Sequence, residues 1–345
     1  MSVTPVHQPI VLTHTHGTVT VIEEPAGSRR IVAQPNDAAD YSAALECSTT
    51  YPIELIDRIL AVKGPLWLCD EIKRDERAEG VALELRYGVL GFVEEDAFVG
   101  ARLLDFGCGS GASTMVLARL LPETSIVGID LSDALLGIAR ERARHYGFAS
   151  MQFLLSPDPL GLPADIGMFD YIMLNAVFEH LLPRERALLL PKLWSLLNPG
   201  GVMFIVQTPY RFAPVDIHTT GLPLINYLPN RLAHVAATKL SRRVDKGASW
   251  EQLLRAGIRG GTEREVRGLL PTANGQAPIQ LRPREPNLHD APDLWYTIAM
   301  QRHASASRRA AWLMFKAVNL VTRDGFGTWL YMALRRPADA QTPRK

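Results

Sequence analysis

The chain has 345 residues, of which 47% are hydrophobic and 21% charged, and its formal net charge is +1. These values are typical of a globular protein with one large α/β domain or two smaller ones, and they argue against a dedicated nucleic-acid-binding protein, which would carry a basic excess. The three cysteines, Cys47, Cys69 and Cys108, are not spaced as metal ligands or disulfide pairs, so we expect a reducing, cytoplasmic location.

The first hundred residues predict an N-terminal arm followed by a helical cap. Residues 1–35 alternate weakly between apolar and polar side chains, which predicts a small β-hairpin around Gly17, and no signal-peptide pattern precedes it. Residues 36–100 carry apolar side chains at intervals of three and four, which is typical of helices. His7, His14 and His16 in the arm have no partners at metal-ligand spacing, and we identify no metal site.

Between residues 101 and 207, short apolar strands alternate with helices. The predicted strands are Arg102–Leu104, Ser125–Ile129, Met151–Leu155, Phe169–Leu174 and Val202–Val206. Such alternation predicts an α/β three-layer sandwich, in which helices cover both faces of a mainly parallel sheet.

The remainder of the chain is predicted to be a lid and a closing element. Residues 208–290 are rich in proline and break the strand–helix alternation, as an inserted substrate lid does. Residues 291–345 contain a predicted helix, 308–323, and a predicted last strand, 327–336. The helix carries an apolar stripe beside Arg308, Arg309, Lys316 and Arg323, so it either packs on the sheet or contacts a membrane surface peripherally.

The motif DFGCGSG, residues 105–111, follows the first strand of the sheet. Its glycines allow a tight turn and a close approach of the backbone to a ligand at a helix N-terminus. The glycine spacing also fits a dinucleotide-binding loop. However, the carboxylate of Asp105 would repel a pyrophosphate, whereas it suits the ammonium and sulfonium of S-adenosylmethionine. We therefore favour S-adenosylmethionine over NAD or FAD as the cofactor.

Four segments in order resemble the motifs of class I S-adenosylmethionine-dependent methyltransferases, and they cover roughly residues 85–208. They are residues 105–111, the acidic Asp130 after the second strand, FDYIMLNAVFEHL at Phe169–Leu181, and LLNPGGVMFI at Leu196–Ile205. The style of the motifs is similar to the small-molecule branch of that family. The resemblance implies a seven-stranded sheet in which only the last strand is antiparallel, here residues 327–336.

The predicted cofactor contacts follow the same motifs. Asp130 is placed to accept hydrogen bonds from both ribose hydroxyls. The resemblance implies that the backbone of the glycine loop holds the methionine portion, that Leu131 flanks the adenine, and that Asp158, or alternatively Ser156, binds the adenine amino group. The full predicted set is Asp105, Phe106, Gly107, Cys108, Gly109, Gly111, Asp130, Leu131, Ser156, Asp158 and Asn175.

Two histidines are candidates for a catalytic base. His180 follows Glu179 after the fourth strand, where the pair either acts on the substrate or stabilises the loop. His218 follows the fifth strand, and Asp216 or a backbone carbonyl is expected to orient its ring, although a loop-stabilising role is the alternative. Tyr210 and Arg211 either contact the substrate or pack in the lid, and Glu179 is a further candidate for substrate contact.

The resemblance implies methyl transfer to a small or medium-sized acceptor, and O-methylation is the first expectation because hydroxyls are common acceptors and candidate bases are present. The acceptor is expected in secondary-metabolite, quinone or glycan metabolism. The alternatives are a protein or other macromolecular methyltransferase, a nicotinamide-dependent oxidoreductase, and a non-catalytic scaffold of the same fold.

Overall fold

A computed structural model describes residues 8–36, 44–148, 150–273, 275–285, 288–302, 305–322 and 326–338. His7 and Arg323, which were considered above, lie outside the described residues. The chain divides into two compact units. The first unit comprises Met1–Ala82, Cys108–Pro122 and Gly128–Leu155, and the second comprises Leu83–Gly107, Glu123–Val127 and Ser156–Lys345. The division falls inside the glycine motif, after Gly107.

The strands are numbered in chain order as follows: β1 Ile10–His14, β2 Gly17–Glu23, β3 Arg29–Pro35, β4 Glu46–Thr49, β5 Arg102–Phe106, β6 Ser125–Asp130, β7 Gln152–Leu155, β8 Phe169–Asn175, β9 Leu197–Pro209, β10 Ile279–Gln280 and β11 Trp329–Arg335. The helices are α1 Ile53–Glu76, α2 Glu79–Leu85, α3 Ala112–Leu120, α4 Asp133–His145, α5 Pro183–Ser195, α6 Asn230–Leu240, α7 Trp250–Arg255, α8 Glu263–Leu269, α9 Ala291–Arg302 and α10 Ala306–Thr322.

The first unit contains an antiparallel sheet with the strand order β1-β2-β3-β4. The hairpin of β1 and β2 lies around Gly17, as the sequence predicts, but β3 and β4 extend it. The prediction of helix across residues 36–100 is wrong at Glu46–Thr49. That strand has only four residues, with alternating burial, and its pairing with β3 outweighs the weak local pattern.

Helix α1 packs against this four-stranded sheet. Its Ile56 and Leu60 share one buried cluster with Val21 and Ile31 of the strands. The helix is kinked at Gly64, whose φ of 73° is left-handed, and the following residue is Pro65. A proline cannot donate an intrahelical hydrogen bond, so the kink marks the point at which one helical segment ends and the next begins.

The seven-stranded sheet has the order β10-β11-β9-β8-β5-β6-β7. Strands β5, β8 and β9 pair in parallel, whereas β11 pairs antiparallel with both β9 and β10. The prediction of an α/β fold with a seven-stranded, mainly parallel sheet is confirmed, and so is the antiparallel last strand. The central strand β8 is buried along most of its length, which explains why FDYIML is apolar except at the half-buried Asp170.

Residues 208–290 contain α6, α7 and α8, but they also contain β10, an edge strand of two residues that no sequence pattern marked. Helix α9 was not predicted either.

Helix α10 occupies most of the predicted 308–323 helix. It packs through the buried Phe315, and its Lys316 pairs with Asp290 and Asp293 at 3.0 Å. Leu320 and Val321 of α10 are more than 80% exposed. Among the described helices, none combines the length and the apolar character needed to cross a membrane.

Candidate functional site

In the first unit, the end of the glycine motif forms a turn in front of α3. Gly109 and Gly111 have left-handed φ values of 55° and 76°. A Cβ atom at Gly111 would lie 2.8 Å from that of Ala139, so this glycine allows α3 to approach α4 closely. A Cβ atom at Gly109 would meet no atom within 4 Å. The space beside the Gly109 Cα is therefore open, and a ligand can approach the backbone there.

Asp130, at the end of β6, is held by the backbone on both sides of its carboxylate. Gly109 N–H donates to Oδ2 at 2.9 Å, and Ser132 N–H donates to Oδ1 at 2.9 Å. Each oxygen keeps a lone pair that can accept a further hydrogen bond. The next side chain, Leu131, is 53% exposed, although it is large and apolar. The predicted ribose and adenine contacts thus lie side by side on a rigid turn.

In the second unit, β5 ends at Asp105 and Phe106, which are both buried. Gly107 follows with a φ of 76°, and a Cβ atom there would lie 2.6 Å from Val177 Cγ2. Glycine is therefore required at this position by conformation and by space. Asn175 ends β8, and its buried Oδ1 has no hydrogen-bond partner in the described part of the chain. A buried amide oxygen of this kind is available to a ligand.

The two candidates for the adenine contact after β7 differ in their surroundings. Ser156 is buried, whereas Asp158 is exposed. Asp158 Oδ1 accepts a hydrogen bond from Leu160 N–H at 2.7 Å, so its carboxylate stabilises a local turn. The choice between the two residues stays a prediction.

Glu179, His180 and His218 lie together in the second unit, and one potential ligand atom of each falls within 4.8 Å of the others. Glu179 is fully buried, and its Oε2 accepts a hydrogen bond from Thr208 Oγ1 at 3.0 Å. Its Oε1 has no hydrogen bond and lies 3.8 Å from His180 Nε2. Burial raises the pKa of Glu179 to about 7.

Both histidine rings are oriented through Nδ1. His180 Nδ1 lies 2.7 Å from the carbonyl oxygen of Arg255, which can only accept, so Nδ1 carries the proton. His218 Nδ1 lies 3.3 Å from Thr219 Oγ1, whose own hydroxyl donates to the carbonyl oxygen of Ala256. Burial lowers the pKa of both rings, and the His180 ring lowers that of His218 further. The neutral rings therefore keep a lone pair on Nε2.

Asp216 does not orient His218 by a hydrogen bond, which corrects one of the two alternatives offered by the sequence. Its carboxylate accepts hydrogen bonds from Thr219 N–H at 3.1 Å and from the Thr220 backbone and hydroxyl at 3.0 and 2.8 Å. A short aspartate side chain is well suited to capping the turn that follows it, and here that local use takes both of its oxygens.

Tyr210 and Arg211 follow β9 and both take part in packing. Tyr210 shares a buried cluster with Phe315 and Phe326, and the Arg211 guanidinium donates to the carbonyl oxygen of Asn226. Tyr210 also lines a cavity of about 520 Å³ in the second unit. Its other walls include Phe212, Tyr227, Arg264, Arg267 and Phe326. Tyr210 therefore packs in the protein interior and also lines a cavity that a substrate can enter.

Comparison with known proteins matches residues 104–203 to a family described as "Methyltransferase domain". The chain is 29% identical over 213 residues to trans-aconitate 2-methyltransferase of Variovorax paradoxus, covering 62% of this chain and 66% of that protein. It is 38% identical over 110 residues to the protein of the same name from Methylobacterium radiotolerans, covering 32% and 38%. It is 32% identical over 108 residues to demethylmenaquinone methyltransferase of Thermus thermophilus, covering 31% and 47%.

Residues 104–203 form a class I S-adenosylmethionine-dependent methyltransferase domain. The family predicted from the four motifs is thereby confirmed. The chain covers between 38% and 66% of the length of these three relatives.

One feature of the methyltransferase domain was missed by sequence reasoning, namely the fixing of Ser110 within the glycine motif. The Arg142 guanidinium is fully buried and donates to both the carbonyl and the hydroxyl oxygen of Ser110 at 2.8 Å. The same guanidinium pairs with Glu71 of α1 at 2.9 Å, and the Ser110 hydroxyl donates to Glu71 as well. Its spacing from Ile138 and Ala139 places Arg142 on the buried face of α4, and this is the sequence signal that could have found it.

Proposed function

We propose that the protein transfers the methyl group of S-adenosylmethionine to a small or medium-sized acceptor, and that oxygen is the methylated atom. The observation that carries this proposal is the turn at Gly109 and Asp130 within the methyltransferase domain. There an open glycine lies beside a carboxylate that the backbone holds on both sides.

Four of the predicted contact residues have surroundings that suit a part of S-adenosylmethionine. In the first unit, Asp130 has lone pairs left for ribose hydroxyls, and the exposed Leu131 offers an apolar surface to the adenine. In the second unit, Asn175 has an unpartnered Oδ1 and Asp105 contributes a buried carboxylate, which suits a cationic amino acid portion. When bound, the cofactor supplies an activated methyl group, so the protein mainly has to position the acceptor and exclude water.

Proton removal from a hydroxyl acceptor is the step that the chain itself has to assist. His180 and His218 are neutral near pH 7 and keep a lone pair on Nε2, as a general base requires. Two of the matched relatives are named for the small molecules trans-aconitate and demethylmenaquinone, which supports a small-molecule acceptor.

The cavity beside Tyr210 suits the body of such an acceptor. Aromatic rings of Tyr210, Phe212, Tyr227 and Phe326 line it together with Arg264 and Arg267. Planar apolar groups pack well on such rings, and an arginine can bind an anionic substituent.

We expect Arg267→Ala to raise the KM for an acidic acceptor with little change in kcat, and an unchanged KM would contradict this assignment.

The cofactor assignment is tested by calorimetry with S-adenosylmethionine and with NADH. We expect binding of S-adenosylmethionine alone, and a loss of at least about tenfold in affinity in Asp130→Ala, since two ribose hydrogen bonds disappear. Asp133→Asn is the matched control, because Asp133 is an exposed acid at the start of α4, three residues after Asp130, and bonds only to Arg140 among the described residues. Binding of NADH instead, or equal affinity in both variants, would contradict the proposal.

The acceptor class is tested by incubating the protein with methyl-labelled S-adenosylmethionine and cell extract, followed by separation of polar small molecules, lipids, nucleic acid and protein. Label in a small-molecule or lipid fraction that disappears with Asp130→Ala is the expected result. Label in the protein fraction would favour the macromolecular alternative. Lipid label would also favour membrane contact through α10, which, like the cytoplasmic location, stays a prediction.

A further inference from the structure

We propose that Glu179, His180 and His218 form a binding site for one transition-metal dication of the Zn²⁺ type. The three side chains bring two imidazoles and one carboxylate together, with one ligand atom of each inside a mutual distance of 4.8 Å. A tetrahedral ion with bonds of about 2.0–2.2 Å to such ligands separates them by somewhat less.

The unpartnered oxygen of Glu179 is a second and independent observation that points to a ligand. The Glu179 side chain is fully buried, yet its Oε1 makes no hydrogen bond and faces His180 Nε2 at 3.8 Å. Within the described residues, no lysine or arginine forms an ion pair with this carboxylate. A buried carboxylate oxygen without a partner is costly in free energy, and a bound cation removes that cost.

The outer hydrogen bonds match those of metal-binding side chains. A metal-binding histidine typically donates its other N–H to a carbonyl or a similar acceptor, and this fixes the ring and its tautomer. His180 Nδ1 donates to the carbonyl of Arg255, and His218 Nδ1 to the hydroxyl of Thr219. Thr208 holds the other oxygen of Glu179 at 3.0 Å. Each of the three proposed metal ligands is therefore oriented by a hydrogen bond to an atom that does not face the metal.

The composition of the cluster selects the kind of ion. Two imidazole nitrogens and one carboxylate suit Zn²⁺, Co²⁺ or Fe²⁺ better than Mg²⁺ or Ca²⁺, which prefer oxygen ligands. Three protein ligands leave at least one coordination position open. If the proposed methyl transfer is correct, an acceptor hydroxyl at this position ionises more readily, because the cation stabilises the alkoxide. In that case the ion promotes the ionisation in place of a histidine base, and the proton is released to water.

The test uses the full-length protein after removal of metals with a chelator. Cobalt(II) is titrated while its visible absorption is recorded, and Zn²⁺ and Mg²⁺ are added separately in calorimetry. We expect one Co²⁺ or Zn²⁺ per chain, absorption bands typical of nitrogen and oxygen ligands, and much weaker binding of Mg²⁺. Glu179→Gln and His218→Ala should each lower the affinity by about tenfold or more, since each removes a ligand.

His234→Gln is the matched control. His234 is a half-buried histidine of α6 whose Nε2 lies 2.8 Å from the carbonyl oxygen of Ala248, and it is not part of the cluster. Calorimetry with S-adenosylmethionine checks that each variant is folded. Absence of stoichiometric metal binding in the wild type, or equal affinity in Glu179→Gln, His218→Ala and His234→Gln, overturns the proposal. Metal binding without any methyl transfer would leave the metal site standing and contradict the proposed function instead.

Discussion

Each unit of the molecule contains a buried group of charged and polar side chains, and the two groups differ in how completely they are paired. In the first unit, the Arg142 guanidinium is surrounded by Glu71, Asp75, Tyr51 and Ser110. In the second unit, Glu179 has the hydroxyl of Thr208 on one oxygen and no hydrogen bond on the other. Asp75 Oδ1 also lacks a hydrogen bond, but it lies 3.6 Å from the Arg142 guanidinium. An ion pair with a buried cation is therefore what separates the first group from the second.

The backbone around the two groups also differs, because it is fixed by hydrogen bonds near Arg142 and strained near Glu179. Arg142 joins α1, α4 and the glycine motif, so its hydrogen bonds fix the backbone that faces the cofactor in our proposal. The strand ends beside Glu179 instead contain two non-glycine residues in the left-handed region, Ala176 with a φ of 54° and Gln207 with a φ of 58°. Strain of this kind concentrates at functional sites, where the ligand rather than local stability determines the conformation.

The largest expected effect comes from removing the cation of the paired group. Arg142→Met removes the buried cation that Glu71 and Asp75 share and leaves Glu71 only the partly exposed Lys63 at 3.7 Å. We expect it to lower the free energy of unfolding by about 3–5 kcal/mol. Urea denaturation measures this change in the free energy of unfolding. Arg144→Met is the control, since Arg144 is exposed on the same helix, and a change within about 0.5 kcal/mol is expected there. A loss below about 1 kcal/mol in Arg142→Met would mean that the group is not what stabilises the first unit.

A smaller effect, dependent on pH, is expected from Glu71. Burial alone would raise the pKa of Glu71, but Arg142, Lys63 and the Ser110 hydroxyl lower it from its ordinary value of 4.5 to about 2. A lowered pKa stabilises the folded state above pH 4.5, and the stabilisation is lost as the pH falls from 4.5 toward 2. Glu71→Gln should therefore cost about 1–3 kcal/mol at pH 7, and this difference from the wild type should shrink below pH 4.5.

Denaturation of both proteins between pH 7 and pH 3 measures this dependence. Burial raises the pKa of Asp75, which acts in the opposite direction, and Asp75 is present in both proteins. A difference that stays constant with pH would show that the charge of Glu71 contributes nothing and that only its shape matters.

The sequence predicted the sheet well because its central strands are mostly apolar, and because β5 is followed by Gly107 and β6 ends at Asp130. It missed β4 and β10 because strands of four and two residues are too short to display a period. It named Glu179, His180 and His218 one by one, but it could not predict that two separate loops bring them together. Arg142 was missed for the same reason, since burial of an arginine depends on partners far away in the chain.

The smallest expected effect, which carries the sharpest contrast, comes from Glu179. Glu179→Gln removes a buried charge that forms no ion pair with a lysine or arginine in the described chain and interacts with Arg186 only at longer range. The new amide oxygen can still accept from Thr208, and its NH₂ faces His180 Nε2. In metal-free protein at pH 8 we expect the free energy of unfolding to stay the same or to rise by up to about 1 kcal/mol. Glu185→Gln is the matched control, because Glu185 is also buried but pairs with Arg255 and should lose stability. Urea denaturation of the two variants measures these changes in the free energy of unfolding. A decrease above about 1 kcal/mol in Glu179→Gln would show that this carboxylate stabilises the fold and is not retained for binding a ligand.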